Sequence, residues 1–187
     1  MAKKGFLYTV AGILKGDESG YEKGKYLGPT ATFNINPTSN DVKDYGDNMV
    51  VATDTSVTGG TTSVEINEMA NELYAFMLGH TYDSEKDEVT CKQTDVAPYL
   101  GLGAIGVVRD GNKPDKYVVK FYKKVQFKEP NDENSTQQDT LTLTHTTLEG
   151  NLFIPGNGEW KTQASFETIE AAKTYLNKLI GITDAAA

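Results

Sequence analysis

The chain is poor in the residues that most chemistry needs. Its 187 residues hold one cysteine, Cys91, so there is no disulfide framework within the chain and no cysteine-based zinc site. They hold two histidines, His80 and His145, far apart in sequence. They hold one arginine, Arg109, among 18 basic residues, against 26 acidic ones, for a net charge of −8. Nucleic-acid binders rely on basic patches and on the bidentate guanidinium, so this balance excludes the usual member of that class. It argues equally against a binder of anionic membranes. No apolar run approaches the length of a membrane span. The start, Met1-Ala2-Lys3-Lys4, lacks the form of a signal peptide, which leads to the expectation of a soluble protein made in a cytoplasm.

What is abundant points to strands. There are 22 Thr, 10 Tyr and 18 Gly, a composition of β-sheets joined by turns. Period-two alternation runs through 5–15 with Phe6, Tyr8 and Val10 on one face. It recurs at Ala31, Phe33 and Ile35, at Val64 and Ile66, and along a Thr-rich run from Leu141 to Ile154. Residues 99–109 and 116–127 flank a Gly-Asn-Pro loop and predict a long antiparallel hairpin. Two segments have helical spacing. Residues 68–78 carry Met69, Leu73, Phe76 and Met77, with Asn67 as the expected N-cap and Gly79 as the stop. Residues 169–180 carry Ile169, Ala172, Leu176, Leu179 and Ile180, capped by Thr168 and ended by Gly181. The expected fold is mainly β, with antiparallel sheets, one central flanking helix and a C-terminal helix.

Three segments read as loops: 36–62, with only 49–52 as a strand candidate inside it, 129–138, and the tail 182–187. A connection as long as 36–62 is uncommon in a compact domain and is usually functional or disordered.

The chemical motifs are weak. Gly101-Leu102-Gly103-Ala104-Ile105-Gly106 matches the dinucleotide fingerprint, but Val107-Val108-Arg109 and a turn follow where that fingerprint needs a helix. Glycines that admit a close neighbour are the better reading. His80 and His145 have no companion pattern that would make either a general base. Cys91 reads as a buried or half-buried thiol in a strand. Asp83, Glu85, Asp87 and Glu88 lack calcium-loop spacing and read as a solvated turn. Asn134-Ser135-Thr136 is a sequon without a secretory context. Lys120, Lys123, Lys124 and Lys128 form the one basic concentration, suited to edge protection or to pairing with acidic neighbours. Trp160, Tyr99 and Tyr117 could stack on sugars. No catalytic constellation, metal site or cofactor site emerges, and no enzyme activity is expected.

Taken in order, several pieces resemble the major tail proteins, or tail tube subunits, of long non-contractile-tailed bacteriophages of Gram-positive hosts. They are Lys4-Gly5-Phe6-Leu7-Tyr8, then Thr38-Ser39-Asn40-Asp41 with Tyr45 and Asp47, then Leu78-Gly79-His80. Asp95 to Gly103, Lys124 to Pro130, Leu148-Glu149-Gly150 and Gly158-Glu159-Trp160 follow, with Phe166 before the closing helix. The resemblance implies two antiparallel sheets packed as a sandwich or barrel within a single tail tube domain, 1–187. It implies hexameric rings stacked into a tube, a lumen that conducts DNA during ejection, and a place in the virion after assembly in the host cytoplasm. Expected partners are the chain itself, a tape measure protein, and tail terminator and baseplate proteins. DNA passes without specific binding, and no membrane is involved. Contacts between rings are expected from the 36–62 segment, at Asn40, Asp41, Tyr45, Asp47, Gly59 and Gly60, with 1–5 and 182–187 as contact arms. The lumen wall is expected to be Asp, Glu, Thr, Ser or Asn, because a lysine-lined wall would grip phosphates. The alternatives are a secretion-tube-like subunit of a bacterial injection particle and a β-sandwich adhesion or carbohydrate-binding module.

Overall fold

The computed structural model describes residues 2–46, 49–109, 114–131 and 145–182. The Asp110 to Lys113 turn, Asp47, the sequon at Asn134, the strand start at Leu141 and Leu143, and 183–187 lie outside them.

In chain order the elements are β1 (Ala2–Leu14), β2 (Tyr21–Tyr26), β3 (Thr30–Ser39), β4 (Val42–Gly46), β5 (Met49–Asp54), β6 (Val57–Ile66), α1 (Asn71–Leu78), β7 (Thr81–Asp83), β8 (Glu88–Thr90), β9 (Leu100–Arg109), β10 (Lys116–Phe127), β11 (Thr146–Leu152), β12 (Lys161–Phe166) and α2 (Ile169–Ile180). The protein is mainly β and its pairings are antiparallel.

The main sheet runs β2-β1-β9-β10-β11-β6-β3, and β12 also pairs with β10. Thus β10 is a fork. Its first half, Tyr117 to Tyr122, pairs with β12, and its end, Val125 to Phe127, pairs with β11. The change happens at a bulge. Tyr122 sits opposite Leu102 and Val125 opposite Leu100, leaving Lys123 and Lys124 as the irregular step. A bulge bends its strand and reverses which face the next side chain takes. Tyr122 and Val125 therefore both enter one core despite their odd spacing.

There are two cores. The first gathers Leu100, Leu102, Val64, Ile66, Leu148 and Leu152 from the strands with Leu73, Met77 and Leu78 of α1. The second places Val10, Ile105, Val119 and Phe121 under Ala172, Leu176 and Ile180 of α2. Two of the three fingerprint glycines, Gly101 and Gly103, lie against this second core. A Cβ on Gly103 would stand 2.5 Å from Leu176 Cδ1, and one on Gly101 would stand 2.4 Å from the Tyr21 ring. They are where α2 and its aromatic neighbours lie against the sheet, which is the packing role the sequence suggested.

Helix α2 has the predicted bounds. Thr168 Oγ1 accepts from the Ala171 N–H, and Gly181 takes the left-handed conformation at φ 72°. Helix α1 starts later than expected. Asn67 does not cap it: its N–H is held by the Pro29 carbonyl at the end of the β3–β6 ladder, and the helix begins four residues further on. The cap position falls to Ala70, with no side-chain bond, while Gly79 ends the helix as predicted.

Three other expectations change. Phe6 and Val10 do not share a face: bulges follow Lys3 and Leu7, Phe6 packs against Phe33, and Val10 enters the α2 core. Residues 2–5 are part of β1, paired to β9 from Ala2 opposite Arg109 onward, and are not a free arm. The 36–62 segment is not a loop. Its two ends extend β3 and β6, with Asn36 opposite Thr61 and Thr38 opposite Gly59, and β4 pairs with β5 between them. Ladder pairing supplies the order that side-chain hydrophobicity does not.

Candidate functional site

Two features of this chain face outward in an organised way: a sheet face and an arm.

The sheet face belongs to β3, β6 and β11. Alternation puts Phe33, Val64 and Leu148 inward. The register then lines up the outward residues in rows across the three strands. Asn34 stands opposite Ser63, which stands opposite Glu149. Asn36, Thr61 and Asn151 form a second row, and Thr32, Glu65 and Thr147 a third. Each row is half-buried or exposed, and Thr32 Oγ1 donates to Glu65 Oε2 at 3.2 Å. No lysine or arginine occurs in the three rows, although they draw on three separate stretches of chain. Glu65 and Glu149 give the surface a negative sign, and the hydroxyls and amides keep it wetted.

The arm is the β4–β5 hairpin, which among the described residues pairs only with itself, follows the end of β3 and precedes β6. Of the residues expected there, Asn40 and Asp41 lie at its base. The Asn40 N–H donates to the Ser56 carbonyl at 2.8 Å, and Asn40 Nδ2 donates to Asp54 Oδ2 at 3.1 Å. Asp54 also accepts from the Ser56 N–H, and these bonds hold its carboxyl below the usual carboxylate range. Tyr45 lies in β4, opposite Val50. Gly59 and Gly60 sit in β6, where a Cβ on Gly60 would stand 2.5 Å from the Asn36 carbonyl oxygen. They permit close strand approach at the root of the arm and are not at its tip.

The other candidates go elsewhere. His80 is nearly buried beyond the end of α1. Its Nδ1 lies 2.9 Å from Asp95 Oδ2 and its Nε2 lies 3.0 Å from Glu129 Oε2, while the Tyr74 hydroxyl donates to Glu129. The His80 and Lys92 contacts hold the Asp95 carboxyl low. Both ring nitrogens are occupied, so His80 ties α1 to the 91–98 turn and to the end of β10; sequence gave no sign of that tie. Nδ1 of His145 lies 3.5 Å from the Asn67 carbonyl oxygen, its one hydrogen-bond contact among the described residues. Cys91 is exposed and follows β8, contrary to the buried strand position expected, because pairing ends at Thr90. Asp83 and Asp87 serve the β7–β8 turn, accepting from the Glu85 N–H and the Tyr82 hydroxyl. Among the described residues no group of His, Cys, Asp or Glu could hold a metal, and no helix is long and apolar enough to cross a membrane.

The lysine concentration divides as chemistry suggested. Lys123 pairs with Glu159, and Lys124 with Glu18. The three aromatics do not make one platform. Trp160 packs on the first core beside Tyr122, Tyr117 on the second, and Tyr99 lies edge-on to Phe153 under Lys124.

No known protein family and no curated protein matches the chain.

Proposed function

We propose that this chain is a structural tail tube subunit of a long-tailed phage, assembling as stacked hexameric rings that conduct DNA and doing no catalysis. The observation that carries the reading is the lysine-free face of β3, β6 and β11. A wall that DNA must slide past needs polar and negative groups, since each lysine in it would add a salt-dependent hold on a phosphate. In a chain with 18 basic residues, nine outward positions without one is the arrangement such a wall requires.

Two further features support it. Among the described residues β2, β3 and β12 each keep one edge unpaired, and ring closure is a way to cover such edges. The β4–β5 arm, a separate two-stranded sheet, offers strand edges to a neighbour. The fork at β10 supports the finer reading of the fold as two sheets packed on each other. Tape measure, terminator and baseplate proteins are the partners this reading entails, and the virion is its location.

Electron microscopy of concentrated protein tests it. Tubes of even width are expected, and deletion of 40–56 is expected to leave a folded domain that no longer stacks. Tubes that persist after the deletion would overturn the role of the arm. A Glu65→Lys, Glu149→Lys variant is expected to form tubes that retain duplex DNA at low salt and release it at high salt. Equal retention by the parent tube would remove the lumen assignment.

A further inference from the structure

We infer that the depression beside Lys23 is the seat for Asp41 and Val42 of a second copy of this chain. The inference rests on the reading of the chain as a self-assembling subunit and names a contact within it.

An open depression of about 360 Å³ lies between β2 and the end of α1. Its basic and acidic lining residues are Lys23, Lys25, Glu72 and His80, and its apolar wall includes Phe76, Val96 and Pro98. Three of these four are committed. Lys25 is paired with Glu72, and His80 lies between Asp95 and Glu129. Lys23 is exposed and forms no ion pair among the described residues. Its backbone is left-handed, at φ 51°, where β2 is irregular opposite β1. Glycine would occupy that conformation without strain, so a lysine there is held against a backbone penalty, as happens at functional positions.

Val96 lines the same depression and is 75% exposed. Its turn is fixed from several sides. Asp95 is held by His80, the Ala97 carbonyl accepts from Gln126 Nε2 at 2.7 Å, and the Val96 carbonyl packs against Gly79, where a Cβ would stand 2.5 Å from it. An apolar side chain on a fixed turn, sharing a depression with an uncommitted cation, is preorganised for a carboxylate that adjoins an aliphatic group.

The chain carries such a pair at the base of its arm. Val42 is 60% exposed, second only to Val96 among the large apolar side chains described, and exposed Asp41 precedes it. Asp41 lies 3.9 Å from Lys43, an exposed and weak contact that a partner can replace. From 40 to 56 the arm holds Asp41, Asp44, Asp47 and Asp54 against Lys43 alone, so its charge is opposite to that of Lys23. The arm of one copy and the depression of the next are different surfaces. The contact is therefore head to tail and can propagate.

A charge exchange tests it, read by sedimentation velocity at low salt on the full chain. Lys23→Glu alone and Asp41→Lys alone are each expected to raise the concentration needed for association roughly tenfold, since each turns an attraction into a repulsion repeated along the assembly. Mixing the two variants is expected to restore association, because the reversed arm of one then meets the reversed depression of the other. Either variant associating like the parent, or the mixture failing to recover, overturns the contact. Charge-dependent association that is not tubular keeps the contact and overturns the tube reading. Tubes indifferent to both reversals do the opposite. A parent chain that remains monomeric at every concentration overturns the contact.

Discussion

Lys124 Nζ lies 2.5 Å from Glu18 Oε1 and joins the β1–β2 turn to the bulge of β10 across 106 residues of chain. The other oxygen of Glu18 accepts from the Gly156 N–H at 2.9 Å. Around the same bulge the Lys123 N–H donates to the Trp160 carbonyl, and the Lys124 carbonyl accepts from the Phe153 N–H. The fork of the sheet is thus tied by polar contacts from three sides, so the lysines there serve the fold more than any ligand.

The first prediction concerns acid. The Lys124 ammonium, then the Gly156 N–H, hold the Glu18 carboxyl below its ordinary value of 4.5. A carboxyl depressed in the fold contributes stability that is fully present above its unfolded value and disappears as pH falls through the folded one. Thermal stability is therefore expected to fall progressively below pH 4.5 in the parent. Glu18→Gln is expected to be less stable than the parent at neutral pH and to lose less on acidification. Parallel pH profiles would refute the role of this carboxylate.

The second concerns the glycine floor under α2. Gly103→Ala would place a methyl 2.5 Å from Leu176 Cδ1 and 3.1 Å from the Phe121 ring. Overpacking of this kind destabilises by about 1–3 kcal/mol. Leu176→Ala alone removes a fully buried side chain and is expected to destabilise by about 2–5 kcal/mol. Because the two changes share one space, the double variant is expected to be more stable than the sum of the two predicts. Gly106→Ala is the control, since its new methyl would meet nothing closer than 3.6 Å. Urea unfolding of the four variants reads all of this.

The same residues show how far sequence reaches. Helix α2 was legible to its ends because capping and apolar spacing are local properties of 168–181. The β9–β10 hairpin was legible because two long strand-forming runs flank a segment with turn chemistry, whereas the bulge at Lys123 and Lys124 left no local sign. Strand β2, Tyr-Glu-Lys-Gly-Lys-Tyr, was not, since it is charged and irregular and becomes a strand only because β1 offers it an edge. The arm was misread for a related reason: cross-strand pairing, not hydrophobicity, makes Val42–Gly46 and Met49–Asp54 strands. The lysine-free face was latent in three alternating segments, but its rows exist only once the register of β3, β6 and β11 is known. The Glu18–Lys124 and His80–Glu129 contacts span distances along the chain over which sequence carries no pairing signal.

The third prediction separates strain from recognition at Lys23. Replacing a left-handed non-glycine residue by glycine relieves strain of order 1 kcal/mol, partly offset by the added freedom of the unfolded chain. Lys23→Gly is therefore expected to be equal to or slightly above the parent in thermal stability while associating less well. A variant that loses stability substantially would show that the lysine side chain supports the fold.

The last prediction concerns alkali and Tyr21. Its hydroxyl donates to the Lys123 carbonyl at 2.8 Å at the fork, and its ring meets Phe121 edge-on at 5.1 Å. Burial, reinforced by the nearby Glu18 charge, pushes its ionisation well above the ordinary 10.0, and burial alone raises Tyr122. A group whose folded value is raised contributes stability that is complete below the unfolded value and is lost as pH rises above it. In a spectrophotometric titration Tyr21 and Tyr122 are expected to form a late fraction that ionises only as the fold opens. Tyr21→Phe loses one hydrogen bond, about 1 kcal/mol at neutral pH, and leaves the Lys123 carbonyl without this donor. It also removes the penalty of ionising that phenol, so the gap between variant and parent is expected to narrow as pH rises past 10.0. A gap that stays constant through alkaline pH would mean that Tyr21 titrates freely and that the fork is open to water.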